Sequence, residues 1–137
     1  MRFMMLMIPK GYATAAPTAM PDAEGVAKMM VFNTKLQQSG NLIALDGLHP
    51  PAAGVRISFA GGKSTATDGP FTEAKEVLGG YWTIKAASKE EAVKWALQIP
   101  ANDGDIVEVR QVQEFEDFPK DVQKEVAEFK ADFEKKA

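Results

Sequence analysis

The stretch that decides the fold is Thr67-Asp68-Gly69-Pro70-Phe71-Thr72-Glu73-Ala74-Lys75-Glu76-Val77-Leu78-Gly79-Gly80-Tyr81-Trp82. An acid, a glycine and a proline stand in a row, a charged run follows, and a glycine pair leads into an aromatic segment. Glycine allows unusual dihedrals or close approach, and proline restricts both its own backbone and that of the preceding residue. The stretch predicts a turn, with Phe71 as a core residue, followed by a strand.

The segments after this stretch predict a strand and then a helix. Residues Trp82, Ile84 and Ala86 alternate with Tyr81, Thr83 and Lys85, which is the period of a half-buried strand. Ser88 and Glu91 form a Ser-x-x-Glu capping box, and an apolar helical stripe runs from there until Pro100 ends it.

The segments before it predict a buried strand, a helix and two further strands. Phe3 to Ile8 is apolar at every position, which favours a central strand covered on both faces. Asp22 to Ser39 has helical spacing and is followed by Gly40 as a C′ residue. Leu42 to Leu45 is a short second strand. Val55, Ile57 and Phe59 alternate with Arg56 and Ser58, which predicts a strand whose apolar face joins the core.

The C-terminal part predicts a last strand, Ile106 to Val112, with Val107 and Val109 on one face. A strongly amphipathic helix follows at residues 119–136, and its apolar stripe from Phe118 to Phe133 must be buried. The element order favours an α+β fold of the ferredoxin-like split βαβ type in a single domain of residues 1–137. We expect a homodimer that pairs sheet against sheet, because a mixed polar face is left on the sheet. That face is predicted to carry Arg56, Ser58, Tyr81, Thr83, Lys85, Glu108 and Arg110.

Composition excludes several classes of function. The chain has 137 residues, 16 basic and 19 acidic, with no basic cluster, so nucleic-acid binding is disfavoured. There are no cysteines, which excludes disulfides and thiolate metal sites. The single histidine also limits other metal chemistry. No stretch has the ~20 apolar residues of a membrane span, and the N-terminal apolar run is too short for a secretory signal. We therefore expect a cytoplasmic protein that uses no cofactor.

Two residues are candidates for catalysis. His49 is the chain's only histidine, and histidine exchanges protons readily near neutral pH, although an exposed and idle loop histidine has the same pattern. Asp68 is either a functional carboxylate or the first residue of an Asx turn. A Ser-His-Asp arrangement with Ser58 or Ser64 stays open, but no nucleophile elbow is present. A metal site would have to use His49, Asp46, Asp68 and Glu73, which are few and irregularly spaced ligands, so we expect none.

A further group of residues is predicted to contact a ligand. Glu73 and Lys75 either line a pocket or belong to a solvated turn. Arg56, Lys85 and Arg110 are expected on adjacent strands, where they would repel one another unless Glu108, an anionic ligand or a dimer mate compensates their charge. Tyr81 lies on the same face. These residues predict a site for a small anionic or phenolic compound, and salt bridges within the dimer are the alternative.

The block from Asp68 to Glu76 resembles the DGPF group of the YCII-related proteins. Matching residues continue through Gly79-Gly80-Tyr81, Glu90-Glu91-Ala92, Ile99-Pro100 and Glu108-Val109-Arg110, so the resemblance covers about residues 2 to 113. It implies a ferredoxin-like fold that dimerises into an α/β barrel. Relatives in the wider group carry a His and Asp pair suspected of acid–base work, and one related branch dehydrochlorinates an aromatic compound. The expected function is acid–base or lyase-like chemistry on a small molecule; the alternative is a non-catalytic ligand-binding or transcription-associated accessory protein.

Overall fold

The computed structural model describes residues 1–71 and 74–136. Within these ranges the elements follow the order strand, helix, four strands, helix, strand, helix. They are β1 (Arg2–Ile8), α1 (Ala23–Gln38), β2 (Leu42–Gly47), β3 (Val55–Ala60), β4 (Lys63–Asp68), β5 (Gly80–Lys85), α2 (Lys89–Ala96), β6 (Ile106–Gln111) and α3 (Lys120–Lys136). None of the helices in these ranges is long and apolar enough to cross a membrane.

Four strands form one antiparallel sheet in the order β2-β5-β1-β6. Two strand–helix–strand units, β1-α1-β2 and β5-α2-β6, interleave in it, which is the ferredoxin-like split βαβ arrangement. The sequence prediction of this fold is confirmed. β1 lies in the middle of the sheet, as its uninterrupted apolar run indicates.

The core lies between one face of this sheet and the two helices α1 and α2. Phe3, Met5 and Met7 of β1 are buried there, because alternate side chains of a strand point to the same face. Trp82 of β5 meets Phe32 of α1 edge to face, with ring centroids 5.8 Å apart. Burying each large side chain of this kind contributes about 1.5–3 kcal/mol. The remaining core side chains include Leu36, Ile84, Ala92 and Ile99.

The ends of both helices follow the capping signals in the sequence. The Asp22 carboxylate accepts a 2.7 Å hydrogen bond from the Gly25 N–H at the start of α1. Gly40, just past the end of α1, has φ +81°, which suits glycine. The Ser88 hydroxyl accepts from the Glu91 N–H at 3.2 Å, and the Glu91 carboxylate accepts from the Ala87 N–H at 3.0 Å. The predicted cap of α2 is confirmed.

β3 departs from the sequence prediction because it pairs with β4 in a separate two-stranded sheet. Its apolar side chains are not core: Val55, Ile57 and Phe59 are 55%, 53% and 79% exposed. Alternation identifies a strand but does not specify its partner, and here the partner is the polar segment Lys63–Asp68, which has no apolar pattern. Gly61 and Gly62 both have positive φ, as a tight two-residue hairpin turn requires.

The second face of the four-stranded sheet, opposite the helices, is called the open face below. It carries Tyr81, Thr83, Lys85, Glu108 and Arg110, as predicted, together with the half-buried Met4, Leu6 and Ile8. Arg56 and Ser58 do not lie on it, which corrects the prediction, because both belong to the β3–β4 hairpin.

Two aromatic predictions are also corrected. Phe71 is half-buried outside the core and lies under the Arg56 guanidinium, which is 4.1 Å from the ring centroid. On α3 the apolar stripe is partly covered near its start, but Phe129 and Phe133 stack on each other and are 71% and 63% exposed. The stripe is therefore unburied over the last turns of the helix.

Candidate functional site

A cavity of about 610 Å³ opens at the end of the sheet where β1 and β2 finish and β5 begins. The loop after β1 forms one side and the loop after β2 the other. We call it the His49 cavity; its wall includes Pro9, Tyr12, Ala19, Met20, Leu48 and His49. Most of these side chains are apolar, while the imidazole and the Tyr12 phenol supply the polar atoms. A small organic molecule fits such a wall.

Hydrogen bonds tie the two loops to the sheet and to each other. The Gly79 N–H donates to the Met7 carbonyl at 2.8 Å, and the Leu48 N–H donates to the Gly79 carbonyl at 2.9 Å. The Tyr12 hydroxyl donates to the Leu48 carbonyl, and partial burial raises the pKa of this phenol. Leu48, the residue before His49, is thus held by the segment that precedes β5 and by the loop after β1. These hydrogen bonds fix this wall of the cavity.

Glycines 79 and 80 are required by close packing beside this cavity. A Cβ at Gly79 would stand 2.6 Å from Pro9 Cγ, and one at Gly80 would stand 2.9 Å from the Asp46 carbonyl oxygen. Both distances are shorter than the contact that a Cβ normally makes with another carbon or oxygen atom, so a side chain at either position would displace its neighbour. The glycine pair noted in the sequence therefore lets three strand ends approach one another and leaves space for the cavity.

The Asp68-Gly69-Pro70-Phe71 segment packs against the turn that follows His49. Gly69 donates its N–H to the Gly54 carbonyl at 2.9 Å, and a Cβ on Gly69 would lie 1.8 Å from the Pro51 carbonyl oxygen. Close approach is thus the reason for glycine here. Asp68 is the exposed last residue of β4, so the segments that carry the two predicted catalytic residues adjoin at this turn.

His49 and Asp68 nevertheless do not form an ion pair. The salt bridges within residues 1–71 and 74–136 join Arg2 to Glu114, Lys28 to Glu24 and Arg110 to Glu108. No group of three histidine, aspartate or glutamate side chains suited to a metal ion occurs in these ranges. The arrangement therefore offers one imidazole at an apolar cavity and one carboxylate on an adjoining segment.

The cations predicted to share one ligand site are divided between two surfaces. Arg110 lies on the open face beside Glu108, 3.7 Å between Nε and Oε2. Lys85 lies on the same face, paired across the strands with Arg2. Arg56 lies apart from both on the hairpin, so the prediction of three cations on adjacent strands is wrong. The reason is that Arg56 lies in β3, which belongs to the separate two-stranded sheet.

The remaining predicted ligand residues also lie outside the His49 cavity or outside the described residues. Tyr81 donates its hydroxyl to Asp46 at 3.0 Å on the open face, and this hydrogen bond raises the pKa of the phenol. Lys75 is exposed in the segment before β5. Glu73 lies outside the described residues, so its predicted role stays a prediction.

Sequence reasoning missed the residues that form most of the cavity wall. Tyr12, Ala19 and Met20 belong to the segment between β1 and α1, which is rich in alanine, threonine and proline and has no pattern typical of a site. The available signal was the lone tyrosine in that loop together with the distant glycine pair. Their contact depends on the folded chain, and spacing alone does not show it.

Comparison with known proteins identifies relatives of the chain. The family model of the YCII-related domain matches residues 1–116, which span every element except α3. An uncharacterized protein of Rhizobium meliloti (strain 1021) is 30% identical over 83 residues, which is 61% of this chain and 67% of that relative.

Proposed function

This chain belongs to the YCII-related family, and from that premise we propose that it binds a small phenolic or anionic compound in the His49 cavity and acts on it by acid–base or lyase-like chemistry. The observation that carries the proposal is the cavity of about 610 Å³ with the only imidazole of the chain in its wall. Ligand pockets are typically about 300–1,000 Å³, mainly apolar, with a few polar groups that orient the ligand. The block from Asp68 to Glu76 supports the narrower assignment to the DGPF group, and we propose a cytoplasmic location because the N-terminal apolar run is short for a secretory signal.

His49 is the group we propose for proton transfer. Its ring takes a proton from an acidic O–H or C–H of the bound compound and returns it to the product, as a general base and then a general acid. Tyr12 is fixed to the Leu48 carbonyl and forms the wall opposite. Asp68, on the adjoining segment, is the carboxylate we propose to orient the imidazole when the ligand is bound. Because the described residues of the cavity wall include neither lysine nor arginine, a phenol fits it better than a strongly charged anion.

The proposed partner is a second copy of the chain, docked through the open face. Met4, Leu6 and Ile8 form an apolar centre that is half-buried in one chain, and Glu108, Arg110 and Lys85 form a charged border. An apolar centre inside a polar rim is the usual anatomy of a protein interface. Sheet-to-sheet docking would close an α/β barrel and place Arg110, Tyr81 and Lys85 between the two copies.

Sedimentation tests the dimer. Leu6→Glu puts a charge at the centre of the open face, so we expect the wild type to sediment as a dimer at micromolar concentration and this variant as a monomer. Val31→Glu is the matched control, because Val31 is 73% exposed on α1, away from the sheet. A wild type that sediments as a compact monomer at that concentration would contradict the dimer.

A thermal-shift screen of small phenols and carboxylates tests the function. A compound at 100 times its dissociation constant adds roughly 2.7 kcal/mol to the free energy of unfolding. For a compound that stabilises the wild type, we expect His49→Gln to abolish turnover while keeping the shift, and Asp68→Asn to reduce turnover. If neither substitution changes any measured turnover while binding persists, the non-catalytic, accessory role stands instead. That alternative is favoured by the lack of an ion pair between His49 and Asp68.

A further inference from the structure

A second, inner cavity of about 290 Å³ lies between α1 and the helix-covered face of the sheet. Val26, Met29 and Met30 of α1 form its roof, and Met7, Leu45 and Trp82 belong to its floor. It adjoins the His49 cavity, because Pro21, Gly47 and Gly79 contribute to both walls. We call it the inner cavity.

The inner cavity exists because two glycines replace side chains in one row of the sheet. Met7 pairs with Gly80, and Gly80 pairs with Gly47, so the three residues share the helix-covered face. The backbone crosses this row closely enough that a Cβ on Gly80 would be 2.9 Å from the Asp46 carbonyl oxygen. Because Gly80 and Gly47 have no side chains, a space is left between this part of the sheet and α1.

Asn33 is the polar residue that α1 contributes to the inner cavity, where Asp46 and Tyr81 of the sheet also belong to the wall, and a single hydrogen bond fixes the orientation of its amide. The Trp82 indole N–H is a donor only, and it donates at 2.8 Å to the atom that must be the Asn33 carbonyl oxygen. The NH₂ group of Asn33 consequently points elsewhere. Its partner in the described part of the chain is the Met30 thioether sulfur at 4.0 Å, and sulfur is a weak acceptor.

This leaves a strong donor without a strong acceptor in a side chain that is nine-tenths buried. Buried amide groups normally have a good hydrogen-bond partner, and a thioether sulfur 4.0 Å away is a weak one. A ligand oxygen in the inner cavity would supply the acceptor. The methionine side chains and the Trp82 ring around it favour an aromatic body, because thioethers are polarizable and adapt to rings.

We infer that the inner cavity binds a monocyclic aromatic compound that carries one hydrogen-bond acceptor oxygen, with the ring among Met7, Met29 and Trp82 and the oxygen on the Asn33 NH₂. An apolar cavity of about 150 Å³ already holds benzene, so the space suffices for a substituted ring. The inference goes beyond the proposed chemistry, since it stands whether or not His49 transfers a proton.

The test uses acetophenone and ethylbenzene, which share shape and differ in the carbonyl oxygen. Each is titrated into the ¹⁵N-labelled protein while the indole signal of Trp82 and the side-chain amide signals of Asn33 are followed. Trp95, the second tryptophan, does not line the inner cavity and serves as the internal reference. We expect saturable shifts at Trp82 and Asn33, with acetophenone bound about three- to tenfold more tightly, the effect of one net hydrogen bond.

Two matched variants locate the site. Val26→Phe fills the roof and should weaken both compounds by at least about tenfold. Val31→Phe, on the same helix but outside this wall, should leave both affinities unchanged. Asn33→Leu should make the two affinities equal, with thermal unfolding as the check that it folds. Absent or non-saturable shifts, equal affinities in the wild type, or undiminished binding by Val26→Phe would each overturn the inference.

Discussion

Replacing Gly69 by alanine tests how the Asp68-Gly69-Pro70-Phe71 segment supports the His49 loop. The added Cβ would stand 1.8 Å from the Pro51 carbonyl oxygen and 2.7 Å from the Pro51 carbonyl carbon. Both are backbone atoms of a short turn, so no flexible side chain can swing aside. Overpacking of this kind costs about 1–3 kcal/mol, and displacing the turn also strains the bond from the Gly69 N–H to the Gly54 carbonyl, worth about 0.5–1.5 kcal/mol.

We therefore expect Gly69→Ala to lower the free energy of unfolding by about 2–4 kcal/mol. At this chain length a loss of 1 kcal/mol lowers Tm by about 4 °C, so the melting point should fall by about 8–16 °C in calorimetry. The His49 NMR signal should shift in the folded variant, because Pro51 follows His49 closely in the same loop.

Gly54→Ala is the matched control for this experiment. Gly54 lies at the same turn, but its added Cβ would be 3.4 Å from the Pro51 carbonyl oxygen, which is an ordinary contact, and its φ is −107°. Alanine there should change stability by less than about 1 kcal/mol. If Gly69→Ala melts within about 2 °C of the wild type, or if both variants lose the same stability, the close-contact argument fails.

Three further predictions follow from single contacts. Ser88→Ala removes the acceptor for the Glu91 N–H at the start of α2 and should cost about 1 kcal/mol in denaturant unfolding, whereas Ser88→Asp should restore most of it. Spectrophotometric titration of the chain's two tyrosines should show both pKa values above the usual range. Asp46→Ala should lower the pKa of Tyr81, because that phenol loses its carboxylate acceptor. A titration curve that Asp46→Ala leaves unchanged would contradict this. The hydrogen bond from Arg2 lowers the pKa of Glu114, so this pair stabilises the fold at neutral pH and the contribution is lost as pH falls through the lowered pKa. Stability of Glu114→Gln should therefore fall less steeply with acid than that of the wild type, and parallel curves would show that the pair contributes nothing.

Local signals in the sequence predicted each of the four strands of the main sheet and its helices, but they also assigned residues 55–59 to that sheet. The apolar run of β1 had to be covered on both faces, which indicated a central position in the sheet. Ser88 marked the start of α2 because its side chain accepts a bond from a first-turn N–H group, while helical spacing alone placed the start of α1 near Asp22. In β5 and β6 the alternation also separated the core side chains from those of the open face.

The hairpin and the cavities could not be predicted in the same way, because both depend on contacts between distant segments. The alternation of Val55, Ile57 and Phe59 is the same for a core strand and for an exposed hairpin. Gly79 lies against Pro9, which no spacing rule connects. Of the predicted site residues, His49 adjoins a cavity, Lys85 and Arg110 lie on the open face, and Arg56 lies apart from them on the hairpin.

The single histidine allows the most direct test of the central claim, that the His49 cavity is the ligand site. Its imidazole C–H groups give one identifiable set of signals in a ¹H–¹³C spectrum, which is followed during titration with phenol and with benzoate. We expect saturable shifts, stronger for phenol, that Ala19→Trp abolishes by filling the wall and that Ala16→Trp, exposed and outside it, leaves intact. His49 signals that stay unmoved by either compound, or that still shift in Ala19→Trp, would contradict the account.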